Sequence, residues 1–231
     1  MRIKGLHKTS LIDYPGKISA VIFTGGCNLR CHFCHNGLLA TDDPSLDPIP
    51  ADEVISFLKK RRSLLDAVTV SGGEPLVQEQ LSGFLRAVRE LDLAIKIDTN
   101  GFYPDHLKRL LNEGLADYVA LDIKTSPDKY AALIGVDGHF DDVRTSLEVL
   151  RSSGVEHELR MTCVPGFCDV EDIRAIGRSI GSCEVLYLQQ FVSELSMNPA
   201  FTELTPHSVD HLRELKSEVL RFSRRCEIRG I

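Results

Sequence analysis

The chain has 231 residues, 43% hydrophobic and 26% charged, with a formal net charge of −6. That balance suits one globular domain with a substantial core, and the negative charge argues against a general nucleic-acid binder, because phosphate attraction needs a positive field. The start, MRIKGLHKTSLIDYPGK, is too polar for a secretory segment, and no apolar run is long enough to span a bilayer. Seven cysteines, an odd number, do not make an extracellular disulfide framework, so a cytoplasmic protein with no membrane partner is expected.

Residues 1–17 are polar and contain a Tyr14-Pro15-Gly16 turn, which predicts a short strand or hairpin extension. The apolar run 18–23 reads as the first core strand, and the loop TGGCNLRCHFCHN (24–36) follows it. Pro44, Pro48 and Pro50 make 41–50 an irregular connection. The stretch 51–65 has Val54, Ile55 and Leu58 at helical spacing, with Asp52 and Glu53 where a helix dipole favours acids.

The strand–helix pattern then repeats. Strands are expected at 67–70, 94–97, 118–123, 157–164 and 184–191, with helices at 81–91, 104–112, 128–133, 141–151, 170–180 and 206–225. Six strands alternating with helices imply parallel strands joined by crossovers, either in an open doubly wound sheet or in a partial barrel. The polar and glycine-rich residues fall after strands one to four, where a β/α barrel forms ligand sites. The expected fold is therefore α/β, a partial (β/α)6 barrel in a single domain. Residues 1–17 form its extension, 18–191 its core, and 192–231 a C-terminal loop and helix.

Chemistry concentrates in a few short motifs. Cys27, Cys31 and Cys34 are spaced C-x3-C-x2-C. A [4Fe-4S] cluster is usually held by four thiolates, so a group of three leaves one iron open. Gly25 and Gly26 let the backbone turn close to such a cluster. A Cys3His zinc site using His32 or His35 is the competing reading, although no second C-x2-C pair appears downstream. Ser71-Gly72-Gly73-Glu74-Pro75 is either an ordinary turn or a cradle for an amine, and Asp98-Thr99-Asn100-Gly101 is either an Asx turn or part of a ligand site.

Taken with Phe33, the spacing C-x3-C-x-aromatic-C resembles the signature of the radical S-adenosylmethionine superfamily, and Gly72-Gly73-Glu74 resembles its GGE motif. Asp98 to Gly101 and Asp122-Ile123-Lys124 resemble the DTNG and D-L-K motifs of the glycyl-radical-enzyme activases, with Ile123 in place of leucine. The resemblance implies that Cys27, Cys31 and Cys34 hold a [4Fe-4S] cluster and that S-adenosyl-L-methionine binds its open iron. It implies that Phe33 presents backbone to the adenine and that Gly72, Gly73 and Glu74 meet the cofactor amine. Asp98, Thr99, Asp122 and the Ala120 carbonyl would surround a monovalent cation beside the cofactor carboxylate, with Lys124 close by. Arg160, in RMTCVPG, would contact the cofactor or bridge to an acid such as Glu74, and Gln190 is a candidate for the adenosyl end. His35 and Asn36 match the activases in the outer shell. Cys163, Cys168, Cys183 and Cys226 lie in separate units and read as small buried hydrophobes. Arg221, Arg224, Arg225 and Arg229 are expected to complement the C-terminus of the last helix.

The activity so implied is reductive cleavage of S-adenosylmethionine to a 5'-deoxyadenosyl radical that takes a glycine Cα hydrogen from a partner enzyme. The start, residues 9–16 (TSLIDYPG), resembles activases of anaerobic ribonucleoside-triphosphate reductase, the expected partner, with flavodoxin or ferredoxin as electron donor. An activase of the pyruvate formate-lyase type and a small-molecule enzyme resembling 7-carboxy-7-deazaguanine synthase are the alternatives within the superfamily. A non-catalytic zinc or electron-transfer module is the alternative outside it.

Overall fold

The short apolar runs fold into one sheet whose strands follow chain order. The computed structural model describes residues 1–137 and 140–231. Its strands are β1 (Ile3–Ser10), β2 (Ser19–Thr24), β3 (Ala67–Gly72), β4 (Ala94–Thr99), β5 (Tyr118–Asp122), β6 (Glu156–Cys163), β7 (Cys183–Gln190) and β8 (Ser223–Arg229). β1 pairs antiparallel with β2, and every later neighbour is parallel. Parallel neighbours need crossovers, here supplied by α1 (Gly37–Ala40), α2 (Ala51–Lys60), α3 (Leu81–Arg89), α4 (Pro104–Asn112), α5 (Tyr130–Ile134), α6 (Phe140–Ser153), α7 (Val170–Ile180), α8 (Pro199–Thr202) and α9 (Val209–Val219). Among the described residues the sheet runs from β1 to β8 without closing, so the barrel is partial.

Side chains alternate across each strand, and here the two faces differ in chemistry. Ile22, Val70, Ile97, Leu121, Leu159 and Leu188 face the helices and share one core with Leu58, Leu85, Leu107, Leu147, Ile173 and Leu212. The alternate positions carry Ser71, Asp98, Asp122, Arg160, Thr162 and Gln189, which line a cavity inside the sheet. The inner wall is thus polar and the outer wall apolar, and the site lies where the inner rows reach the C-terminal strand ends.

The opposite end is plugged by Tyr14, which packs on Ala67 and against the ring of Tyr118 at 5.7 Å between centroids. Residues 9–16 therefore close the bottom of the barrel and lie away from the cysteine loop.

The C-terminal region corrects an expectation. The last helix ends at Val219 and a seventh parallel strand, β8, follows on β7. The basic residues therefore do not cap a helix. Arg224 pairs with Glu184 at 3.4 Å, Arg225 donates to the Tyr187 hydroxyl at 2.6 Å, and Arg229 lies 3.4 Å over the Tyr187 ring while pairing with buried Glu158. Only Arg221 stays beside the helix end, where it meets Glu218. An edge strand carrying charged side chains resists pairing with other chains, and the same charges hide the strand pattern from a hydrophobic reading.

Candidate active site

The cysteine loop crosses the mouth of the barrel between β2 and α1, pinned by backbone from three distant segments. Gly26 N donates to Leu39 O at 2.7 Å and Cys27 N to Ala40 O at 3.0 Å. Arg30 N donates to Ile134 O and His32 N to Leu133 O, at 2.9 and 3.1 Å, and Asn198 N donates to His32 O at 2.9 Å. Two glycines make these approaches possible. A Cβ on Gly73 would lie 2.1 Å from Gly26 O, and one on Gly135, which has φ +69°, would lie 2.4 Å from Arg30 O.

One cavity of about 450 Å³ gathers the motif residues. Its lining includes Cys27, Cys31, Cys34, Phe33, Gly72, Gly73, Glu74, Asp98, Thr99, Asp122, Lys124 and Arg160, together with His35, Asn36 and Gln190. Burial pushes the Cys27 thiol up to about 11 and the Cys31 thiol up to about 12, so both stay protonated at neutral pH until a metal centre takes them.

Cys27, Cys31 and Cys34 do not gather within 4.8 Å of one another, as ligands of a single ion would. Thiols spread around a glycine-floored cavity fit the separate corners of a [4Fe-4S] cluster instead. The two nearby histidines are engaged elsewhere: His35 Nε2 lies 3.0 Å from Val192 O, and the His32 ring packs on Phe201 with Nδ1 3.3 Å from Asn198 Nδ2.

Glu74 is buried beneath the mouth. Its carboxylate accepts from Leu76 N at 3.0 Å, from Thr99 Oγ1 at 2.8 Å and from Asn100 N at 2.8 Å. These bonds favour the ionised form, yet burial outweighs them and pushes its pKa up to about 7.

Across the cavity, two acids and three bases interlock. Arg160 donates through Nε to Asp122 Oδ1 at 2.8 Å and through Nη1 to Asp98 Oδ2 at 3.1 Å. Lys124 Nζ donates to Asp122 Oδ2 at 3.0 Å, while Lys96 Nζ sits 2.8 Å from Asp98 Oδ1, an ion-pair contact rather than an aligned hydrogen bond. Arg160 stands opposite Asp122 in the β5–β6 register, so it reaches Asp98 and Asp122 rather than Glu74. Burial opposes ionisation of both acids, but Arg160 and the lysines hold them low, Asp122 at about 2. The group carries one positive charge in excess.

Three more residues complete the site: Asn100 from the Asp98–Gly101 motif, Lys96, which no motif contains, and Gln190, the candidate for the adenosyl end. Asn100 Nδ2 donates to Asn28 Oδ1 at 2.9 Å and lies 3.8 Å from Cys27 Sγ. Lys96 is legible only by counting two residues back from Asp98 along β4. Gln190 lines the cavity, but its amide donates to His207 O at 2.8 Å.

Residues 21–178 match the family model described as the radical SAM superfamily. The chain belongs to that superfamily. It is 32% identical over 99% of its length to MJ1227 of Methanocaldococcus jannaschii, provisionally named as a glycyl-radical enzyme activating enzyme, and covers 96% of it. It is 33% identical to the pyruvate formate-lyase-activating enzyme of Clostridium pasteurianum over 78% of the chain and 76% of that protein. A similar fold is seen in Streptococcus suis SuiB, crystallised with S-adenosylmethionine, with a TM-score of 0.70 at 17% identity over 91% of this chain. The chain spans 50% of the length of SuiB. Among the described residues no helix is long and apolar enough to cross a membrane.

Proposed function

We propose that this radical SAM enzyme activates a glycyl radical enzyme. The observation that carries the reading is the convergence of three spread thiols, the Gly72-Gly73-Glu74 turn and the Asp98–Asp122–Arg160–Lys124 group on one cavity. Cys27, Cys31 and Cys34 hold the [4Fe-4S] cluster. Glu74 and the carbonyls of the glycine turn accept from the methionyl amine of S-adenosylmethionine, Phe33 presents backbone to the adenine, and Thr99 and Asn100 orient the Glu74 carboxylate. When bound, the cluster and cofactor supply an electron and a 5'-deoxyadenosyl radical that removes hydrogen from a glycine Cα of the partner. The polar inner wall fixes the cofactor while the plugged bottom leaves the mouth as the way in for a partner loop.

The positive charge beside the cofactor carboxylate comes from Arg160 and Lys124. Each carboxylate oxygen of Asp98 and Asp122 faces one side-chain cation, and the buried Asp98 Oδ1, which has no hydrogen-bond partner, keeps acceptor capacity for a monovalent ion.

The partner we propose is anaerobic ribonucleoside-triphosphate reductase, supported by the resemblance of residues 9–16. A pyruvate formate-lyase type partner is favoured instead by the likeness to the Clostridium pasteurianum activase. A one-electron protein such as flavodoxin or ferredoxin serves as donor, in a cytoplasm that keeps all seven cysteines unpaired. The test is anaerobic incubation of the cluster-loaded enzyme with S-adenosylmethionine, reductant and each purified partner in turn. A glycyl radical signal on the reductase alone supports the full reading, a signal on the lyase alone corrects the partner, and none on either overturns the activase assignment.

A further inference from the structure

The connection from β7 to α9 ends at His207, and His211 follows in the first turn of α9; their rings lie side by side, centroids 4.5 Å apart and planes inclined at 48°. Both turn Nε2 toward Asp169, the residue before α7. The distances to Asp169 Oδ1 are 3.8 Å from His207 and 4.0 Å from His211. These gaps are too long for hydrogen bonds. They suit an ion placed between the groups: with the third side of the triangle no longer than 4.8 Å, its centre lies roughly 2.2–2.5 Å from each corner, a few tenths of an ångström beyond zinc–nitrogen and zinc–oxygen bonds. Among the described residues this is the group whose three ligand atoms lie within 4.8 Å of one another.

Two further observations prepare these nitrogens for a metal. His211 Nδ1 lies 3.0 Å from Glu214 Oε2, which places the ring proton on Nδ1 and leaves the Nε2 lone pair free. His207 Nε2 is buried and has no hydrogen-bond partner, on a side chain only 12% exposed. None of the three residues lines the cavity of the cysteine loop.

The geometry points to a second metal site, in which Asp169 Oδ1, His207 Nε2 and His211 Nε2 bind a divalent transition ion, zinc by its ligand set, with water completing the coordination. The ion staples the start of α7 to the start of α9. Between β7 and His207 the chain carries Val192, whose carbonyl accepts from His35, and Asn198, which donates to His32. Fixing the end of this connection therefore steadies the strap that lies on the cysteine loop.

The test uses cluster-loaded protein freed of loosely bound metal, dialysed anaerobically against micromolar zinc and assayed for zinc per chain, with melting followed in parallel. A full chain with Cys27→Ser, Cys31→Ser and Cys34→Ser excludes zinc held by the thiols. The wild type and the triple variant are expected to bind about one zinc and to melt higher with it. His207→Ala and His211→Gln lose that zinc and that shift. Asp169→Asn, which keeps an oxygen for capping α7, binds more weakly, and Glu214→Ala weakens binding roughly tenfold. Should His207→Ala not fold, His211→Gln decides, because its ring lies nearer the surface. Zinc stoichiometry unchanged in the histidine variants, or zinc lost only with the thiols, overturns the proposal.

Discussion

The buried carboxyl of Glu74 makes cofactor binding depend on pH in a way that can be worked out. Its folded pKa of about 7 against an ordinary 4.5 means that the empty site holds a proton where an unfolded chain has lost it. At about 1.4 kcal/mol per pH unit, forcing the ionised form into the empty site costs on the order of 3 kcal/mol. That cost is absent below pH 4.5, grows between 4.5 and about 7, and is constant above. An ammonium arriving against the carboxylate offsets it, so Glu74 gives up its proton on binding. Affinity for S-adenosylmethionine should rise by up to tenfold per pH unit between pH 5.5 and 7, and flatten before the amine itself titrates near 8. Calorimetry of the cluster-loaded enzyme in buffers of different ionisation enthalpy should show close to one proton released per cofactor bound at pH 6. Glu74→Gln should bind more weakly and lose the proton release. Equal pH slopes in wild type and Glu74→Gln would refute the assignment of this residue to the amine.

Arg160→Met leaves Asp98 and Asp122 facing each other with only the lysines, which should cost about 3–5 kcal/mol in a chemical-denaturation midpoint experiment. Exchanging sodium and potassium for choline tests the cation directly: wild-type cofactor affinity stays within about twofold if Arg160 and Lys124 alone meet the cofactor carboxylate, since buried side-chain contacts are little affected by bulk ions, and falls further than that if an ion sits at Asp98 and Asp122. Gly135→Ala puts a Cβ at positive φ and against Arg30 O, costing at least 1–2 kcal/mol. It should also lower the iron content after reconstitution, because the same backbone pins the cysteine loop. Cys31→Ala should leave the fold intact by circular dichroism but abolish 5'-deoxyadenosine release.

The elements that could be read from the chain are those whose signals are local. α4 and α7 begin where Pro104 and Asp169 mark helix starts, and both match their expected bounds. Cys27, Gly73 and Asp98 announce themselves because few other residues can do what those positions require. β8 went unseen because SRRCEIR carries its charges on a solvated edge, where strand periodicity in hydrophobicity fades. Lys96 and Glu158 escaped notice because a charged residue inside a strand normally marks a solvent face, whereas here the inner face of a narrow barrel is polar and pairs them with Asp98 and Arg229. The strap through Asn198 was beyond reach for another reason. Its meeting with His32 joins residues far apart in sequence, and nothing local in either segment encodes it.

The most direct test is electron paramagnetic resonance of the anaerobically reconstituted, reduced enzyme before and after S-adenosylmethionine, with 5'-deoxyadenosine measured in the same samples. A [4Fe-4S] signal that changes on adding the cofactor, together with deoxyadenosine release, is the result expected if Cys27, Cys31 and Cys34 leave one iron open to it. A protein that takes up zinc at these thiols, gives no cluster signal and releases no deoxyadenosine contradicts the account at its centre.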